Sequence, residues 1–151
     1  MATACAEMNC GLVLMHTRGR PSEWRTQPAL QPGTVLPLVL EGLAAALTTA
    51  QEAGIAPDSI VLDPGYGFGK RGNENYELLS VQSGLLSLMR PLLVGLSRKS
   101  FLKSAHRDHH ETVSVAAQVA AILGGASIVR VHAVREAVEA ASIADAVLAA
   151  G

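Results

Sequence analysis

The residue types best fitted to chemistry stand at the ends of short apolar runs. Ser59-Ile60-Val61-Leu62 leads into Asp63-Pro64-Gly65, Leu92-Leu93-Val94-Gly95 into Ser97-Arg98-Lys99-Ser100, and Ser127-Ile128-Val129 into Arg130-Val131-His132. A fourth run, Leu12-Val13-Leu14-Met15, ends at His16, Thr17 and Arg18. Strands of a parallel sheet are buried on both faces and read as continuous aliphatic runs, and ligands gather at their carboxyl ends where the loops meet. The pattern therefore sets a carboxylate, several cations and several hydroxyls on one rim.

Each cluster suggests its own ligand chemistry. In Leu62-Asp63-Pro64-Gly65-Tyr66-Gly67-Phe68-Gly69-Lys70 a strand-end carboxylate is followed by three glycines alternating with two aromatics. Such glycines let the backbone turn sharply and approach a ligand, and the ring of Phe68 is fit to cover a flat heterocycle. A carboxylate shielded from water is costly without donors, and an amino-pyrimidinone edge supplies two. A plain glycine-rich strand-to-helix turn would account for the glycines but leaves Asp63 unexplained. Taken alone, the basic loop Ser97-Arg98-Lys99-Ser100 reads as a solvated surface; its place directly after a strand turns it toward the rim. In Arg130-Val131-His132, the alternation of an extended segment sends Arg130 and His132 to one side, where guanidinium and imidazole make a clamp for a diphosphate. The competing reading is an arginine paired with a neighbouring acid.

Helical segments must hold these loops in place. From Thr34 to about Ala53, Val35, Val39, Leu43, Leu47 and Ala50 recur at spacings of three and four, with Gly54 and Pro57 as the stop. A second helix is predicted from Asn73, with Leu78, Leu85, Leu86 and Met89 on its apolar face, Glu74 and Glu77 at its positive end, and Pro91 closing it. A third has Val113, Ala116, Ala117, Ala120 and Ala121 facing inward and ends at Gly124-Gly125; a fourth runs from Val134 to Ala149 with Val138, Ala141, Ala144 and Leu148 inward. Four β/α units with right-handed crossovers give a four-stranded parallel sheet, half of a complete (β/α)8 barrel, which takes roughly 250 residues.

Composition sets the outer limits. The 151 residues, 49% of them hydrophobic, suffice for one domain with a real core. A formal net charge of -1 gives no overall field favouring nucleic acid or a membrane, although local cations remain free to bind a small anion. Cys5 and Cys10, in a chain without a recognisable signal peptide or long apolar span, read as free thiols in a reducing cytoplasm.

The runs LMHTRG, LDPGYGFGK, VGLSRKSF and IVRVHAV, in this order and spacing, resemble the second half of the dihydropteroate synthase family of the folate pathway. The resemblance spans essentially the whole chain and all four strands. It implies an α/β fold, a parallel half-barrel of four units matching the second half of a TIM barrel, with residues 1–151 forming a partial pterin-binding domain whose N-terminal half is missing. It further implies a transferase that condenses 6-hydroxymethyl-7,8-dihydropterin diphosphate with 4-aminobenzoate, Mg2+ assisting the release of diphosphate. On this resemblance Asp63 accepts hydrogen bonds from the pterin, Met15 lines the pterin slot, and Gly95 lets the backbone approach the ring. Lys99 contacts the pterin near the aminobenzoate, which Phe68, Ser97 and Arg98 flank, and Arg130 with His132 holds the diphosphate. Catalysis by Lys99, Arg130 and His132 would be leaving-group stabilisation and positioning, with no protein nucleophile. A cytoplasmic location and a homodimer of the full-length enzyme follow from the same resemblance, with no nucleic-acid or membrane partner.

Two departures stand out. The family commonly has an aspartate after Arg-x-His where this chain has Ala133, so an orienting partner for His132 must come from elsewhere. The family's metal-supporting asparagine and its two closing loops belong to the N-terminal half, so no metal ligand is expected here; Met1-Ala2-Thr3-Ala4 reads as the interior of a preceding helix, and the chain as a partial gene product. Alternatives are a pterin-binding methyltransferase domain, which has no diphosphate to hold, and a non-catalytic half-barrel that works only by assembly. His106, Asp108, His109 and His110 admit a metal-ligand reading but fit an exposed polar loop better. Trp24, with Arg20 and Arg25, is either a lid or partner contact or, as the better account, part of a surface excursion punctuated by Pro21, Pro28 and Pro32.

Overall fold

The computed structural model describes residues 2–102 and 110–151. The four apolar runs form parallel strands β1 (Leu12–Met15), β2 (Ile60–Asp63), β3 (Leu92–Val94) and β4 (Ala126–Val129), in the spatial order β1-β2-β3-β4. Helices alternate with them: α1 (Ala2–Glu7), α2 (Val35–Glu52), α3 (Gly72–Ser80), α4 (His110–Leu123) and α5 (Val134–Ala150). Each strand is followed by a helical return, which makes four β/α units of a half-barrel. Among the described residues no helix is long and apolar enough to cross a membrane.

Register brings the chemistry to one end. β1 and β2 pair from Leu12 with Ile60 to Met15 with Asp63, so the methionine and the carboxylate sit side by side at the carboxyl rim. A one-residue irregularity at Leu92-Leu93 shifts β3 against β4, and beyond the strands Arg130 still donates its N–H to the Val94 carbonyl at 2.9 Å. Ile60, Leu62, Leu92 and Val94 of the sheet are fully covered by Val35, Val39 and Leu43 of α2 and by Leu78 and Leu85, so the rim rests on a dry core.

Three helical expectations need correction. The segment from Asn73 to Met89 is not one helix but α3 followed by a separate 3-10 turn, Gln82–Leu88, with the break at Val81 (φ −116°, ψ 12°). Gln82 explains it. Its buried amide accepts from the Tyr66 hydroxyl at 2.9 Å and donates to the Ala121 and Gly124 carbonyls at 2.9 and 3.2 Å, bonds that a continuous α-helix would have to give up at a buried site. Gly84 lets the turn lie against α2, where a Cβ would meet Leu36 at 2.7 Å. On α4 the buried positions are Ser114, Ala117, Gln118, Ala121 and Ile122, while Ala116 and Ala120 face solvent. Ser114 Oγ accepts from the Arg98 N–H at 3.0 Å and Gln118 donates to the Ala137 carbonyl at 2.9 Å, so polar anchors rather than methyl groups set the helix rotation. On α5 only Ala137 and Ala144 are buried, on a helix that packs against α4, and Val138 and Leu148 are exposed.

Candidate functional site

The loops after β1 and β2 are fastened to each other. His16 N–H donates to the Asp63 carbonyl at 2.9 Å and Arg18 N–H to the Phe68 carbonyl at 3.2 Å. Gly65 (φ +67°) and Gly69 (φ +75°) serve this approach, since a Cβ on either would run into the carbonyl of His16 or of Arg18. The glycine motif is therefore occupied by a neighbouring loop at these two positions. Between the glycines, Tyr66 turns into the core and Phe68 turns outward, half-buried.

Residues that the sequence reading did not tie to this turn hold it in shape. Asn75 Oδ1 accepts from Gly67 N–H at 2.7 Å, and its amide donates to the Lys70 and Arg71 carbonyls at 3.0 and 2.6 Å. Lys70 Nζ donates to the Gly65 carbonyl at 2.8 Å from a buried position. Glu74, read from sequence as a helix-dipole acid, accepts from Leu30 N–H and Arg71 N–H at 2.8 and 2.7 Å and lies 3.6 Å from Arg18 Nη1. One buried carboxylate thus ties the β1 loop, the approach to α2 and the start of α3 together.

Asp63 stands at the centre of this frame. Its Oδ1 accepts from Gly65 N–H at 2.7 Å, and the residue is 6% exposed. Burial pushes its carboxyl up from the ordinary range, opposed by the Gly65 bond and by the charges of Lys99, Arg130 and Lys70. Lys99 Nζ sits 4.1 Å from the Phe68 ring centroid, a cation–π contact. Desolvation and the neighbouring Arg130 lower the Lys99 ammonium, while Asp63 raises it. Lys70 is lowered to about 7, first by burial.

The cationic side of the rim is a pocket of about 310 Å³ lined by Gly95, Ser97, Arg98, Lys99, Arg130 and His132. A Cβ on Gly95 would lie 2.9 Å from Arg130 Nη2, so this glycine makes room for the guanidinium. The orienting partner for His132 is Ser97, whose Oγ is 2.9 Å from Nδ1 and accepts the His132 N–H at 3.3 Å. The hydroxyl thus fixes His132 at both its backbone N–H and its ring Nδ1 and leaves Nε2 clear of this contact. Arg98 has left-handed backbone (φ +57°) and sends its guanidinium to Glu111 of α4, with Nε 2.7 Å from Oε1. It lines the pocket but its charge is already engaged.

Among the described residues no three His, Cys, Asp or Glu side chains converge on a cation site. Lys99 and Arg130 would moreover repel a bare divalent ion, so these residues do not fit Mg2+ on their own. His106, Asp108, His109 and the side chain of His110 lie outside the described residues.

Residues 1–132 match the family model described as pterin binding enzyme. The chain is 37% identical over 150 residues to a dihydropteroate synthase of Escherichia coli K12, covering 97% of this chain and 52% of that protein. It is 39% identical over 160 residues to one from Mycobacterium leprae, covering 100% of this chain and 56% of the other. A crystal structure of the Yersinia pestis dihydropteroate synthase with a sulfonamide drug complex superposes with a TM-score of 0.92 at 35% identity, over 99% of this chain and 55% of that one. The chain spans about half the length of the relatives it matches.

Proposed function

The chain belongs to the family of pterin-binding enzymes, and on that premise we propose that it carries the pterin- and diphosphate-binding part of a dihydropteroate synthase. The reading is a transferase that joins 6-hydroxymethyl-7,8-dihydropterin diphosphate to 4-aminobenzoate. The observation that carries it is Asp63: one carboxylate oxygen is taken by Gly65, and the side chain lies in the field of Lys99 and Arg130 on the same rim. The remaining oxygen suits the paired N–H donors of an aminopterin, and the cations beyond it suit the diphosphate that the pterin carries.

In this reading the bond from the exocyclic methylene to diphosphate oxygen breaks and a bond from the arylamine nitrogen to that carbon forms, the amine giving up one proton. Arg130 and the imidazole of His132 receive the charge that builds on the leaving diphosphate, and Ser97 holds the imidazole for that task. Lys99, packed on Phe68, bridges the pterin side and the arylamine side. Met15 flanks Asp63 by strand register, and in this reading Phe68, through its contact with Lys99, and Ser97 flank the arylamine. A methyl-transfer site has no diphosphate to hold, which makes the Arg130–His132 arrangement poorly matched to that alternative. Mg2+ enters this proposal only as a companion of diphosphate, since the described residues form no cation site of their own. A second copy of the chain is the proposed protein partner, and free Cys5 and Cys10 accord with a reducing cytoplasm.

Calorimetric titration tests the reading. The chain should bind 6-hydroxymethylpterin and bind its diphosphate ester more tightly; absence of any pterin binding would overturn the proposal.

A further inference from the structure

Trp24 is the only tryptophan in the chain. It follows a short 3-10 turn, Pro21–Glu23, in which Glu23 accepts from the Arg20 N–H at 2.8 Å. Its indole N–H donates to the Gly19 carbonyl at 3.2 Å, and its ring meets Phe68 edge to face, with centroids 5.2 Å apart and planes at 89°. The loop that carries it is bonded to the backbone of Phe68 itself through Arg18 N–H. Trp24 is thus seated on the Phe68 ring. Phe68 stands between two glycines, and among the described residues its aromatic and cation–π partners are Trp24 on one hand and the Lys99 ammonium on the other. Three loops therefore meet through one phenyl ring.

We propose that Trp24 is a specificity-determining residue: by fixing the plane of the Phe68 ring it sets the width of the slot that the aryl ring of the amine substrate enters. This rests on the reading of Phe68 as a wall of the arylamine pocket. Trp24 acts through Phe68 and touches no reacting atom, so it is a positioning residue. An edge-to-face aromatic pair is worth about a fivefold change in an equilibrium constant. That size is enough to alter a choice between similar rings without abolishing binding.

The test uses the 151-residue chain saturated with 6-hydroxymethylpterin and diphosphate, and measures the Kd of 4-aminobenzoate and of 4-amino-2-methylbenzoate by calorimetry. The wild type should prefer the unsubstituted amine. Trp24→Ala should weaken 4-aminobenzoate about fivefold and bring the ratio of the two constants toward one, with pterin affinity unchanged. Trp24→Phe, which keeps a ring at the site, should restore the ratio. Trp24→Leu keeps apolar bulk against loss of fold and should lower the ratio as Trp24→Ala does. An unchanged ratio in a folded Ala or Leu variant, with pterin still bound, overturns the role of Trp24 alone. Failure of the wild type to bind pterin overturns the functional reading and this inference with it.

Discussion

Replacing Asp63 by Asn separates recognition from folding, because the two should respond in opposite directions. Asp63 Oδ1 is committed to the Gly65 N–H at 2.7 Å, and the turn it closes is held from the other side by Lys70 on the Gly65 carbonyl. An asparagine must spend its single carbonyl oxygen on that bond, so its amide would present a donor where the carboxylate presented an acceptor. The pterin N–H groups then face a donor. Loss of a hydrogen bond to a charged acceptor costs about 1.5–3 kcal/mol, roughly a ten- to hundredfold loss of affinity. Folding should not suffer, since burial already pushes the Asp63 carboxyl up and a neutral side chain of the same shape removes that penalty. Calorimetry with 6-hydroxymethylpterin and a urea unfolding curve on the same preparation check both halves. Unchanged pterin affinity in a folded Asp63→Asn protein would refute the assignment of Asp63 as the recognition acceptor.

Three further outcomes follow from the same geometry. Arg130→Ala should weaken the diphosphate ester far more than the bare hydroxymethyl pterin, by about tenfold or more, and equal losses for both ligands would contradict a role at the diphosphate. His16 is buried and lowered to about 4, first by desolvation and then by Lys70; because its folded pKa lies below the unfolded value, its contribution is present above about 6.5 and is lost as pH falls through about 4, up to about 3 kcal/mol. Urea curves at pH 7 and pH 4 should show that loss in the wild type and less of it in His16→Leu; identical pH responses would argue against it. The outer strands β1 and β4 each have one bonded neighbour, and Val13, Met15 and Ile128 on them are 49%, 41% and 41% exposed, so the polypeptide should self-associate; a monomeric mass by light scattering at high concentration would be the contrary result.

The strands and their order were legible because each is a short aliphatic run bounded by polar residues, a signal contained within a few positions. The helices were legible as elements, yet their faces were read less well. Val138 and Leu148 looked inward by hydrophobicity, but α5, which packs against α4, buries Ala137 and Ala144 instead. Apolar periodicity records which side chains are fit for burial and does not say how close the neighbouring helix comes. The break at Val81 was hidden for a related reason. Gln82 is polar and adds nothing to the apolar pattern, whereas its partners Tyr66, Ala121 and Gly124 come from distant parts of the chain.

The same division runs through the site. Asp63, Lys99, Arg130 and His132 could be picked out because a strand end places its own following residues on the rim, whatever surrounds them. Their supports could not, because those act across the fold: Glu74 holds Leu30 from 44 positions away, and Ser97 meets His132 from 35. Ser97 is the instructive case. Ala133 gives His132 no acidic neighbour, and the sequence offers no orienting partner nearby; the parallel pairing of β3 with β4 supplies one by setting the residues after the two strands against each other. A hydroxyl orients the imidazole without adding negative charge beside Arg130. An aspartate in that place would hold the ring equally well but would oppose the approach of an anionic leaving group. With Ala at 133 and a seryl hydroxyl on Nδ1, no acid stands against the ring from its own segment, and the rim keeps its cationic pocket beside the Asp63 carboxylate.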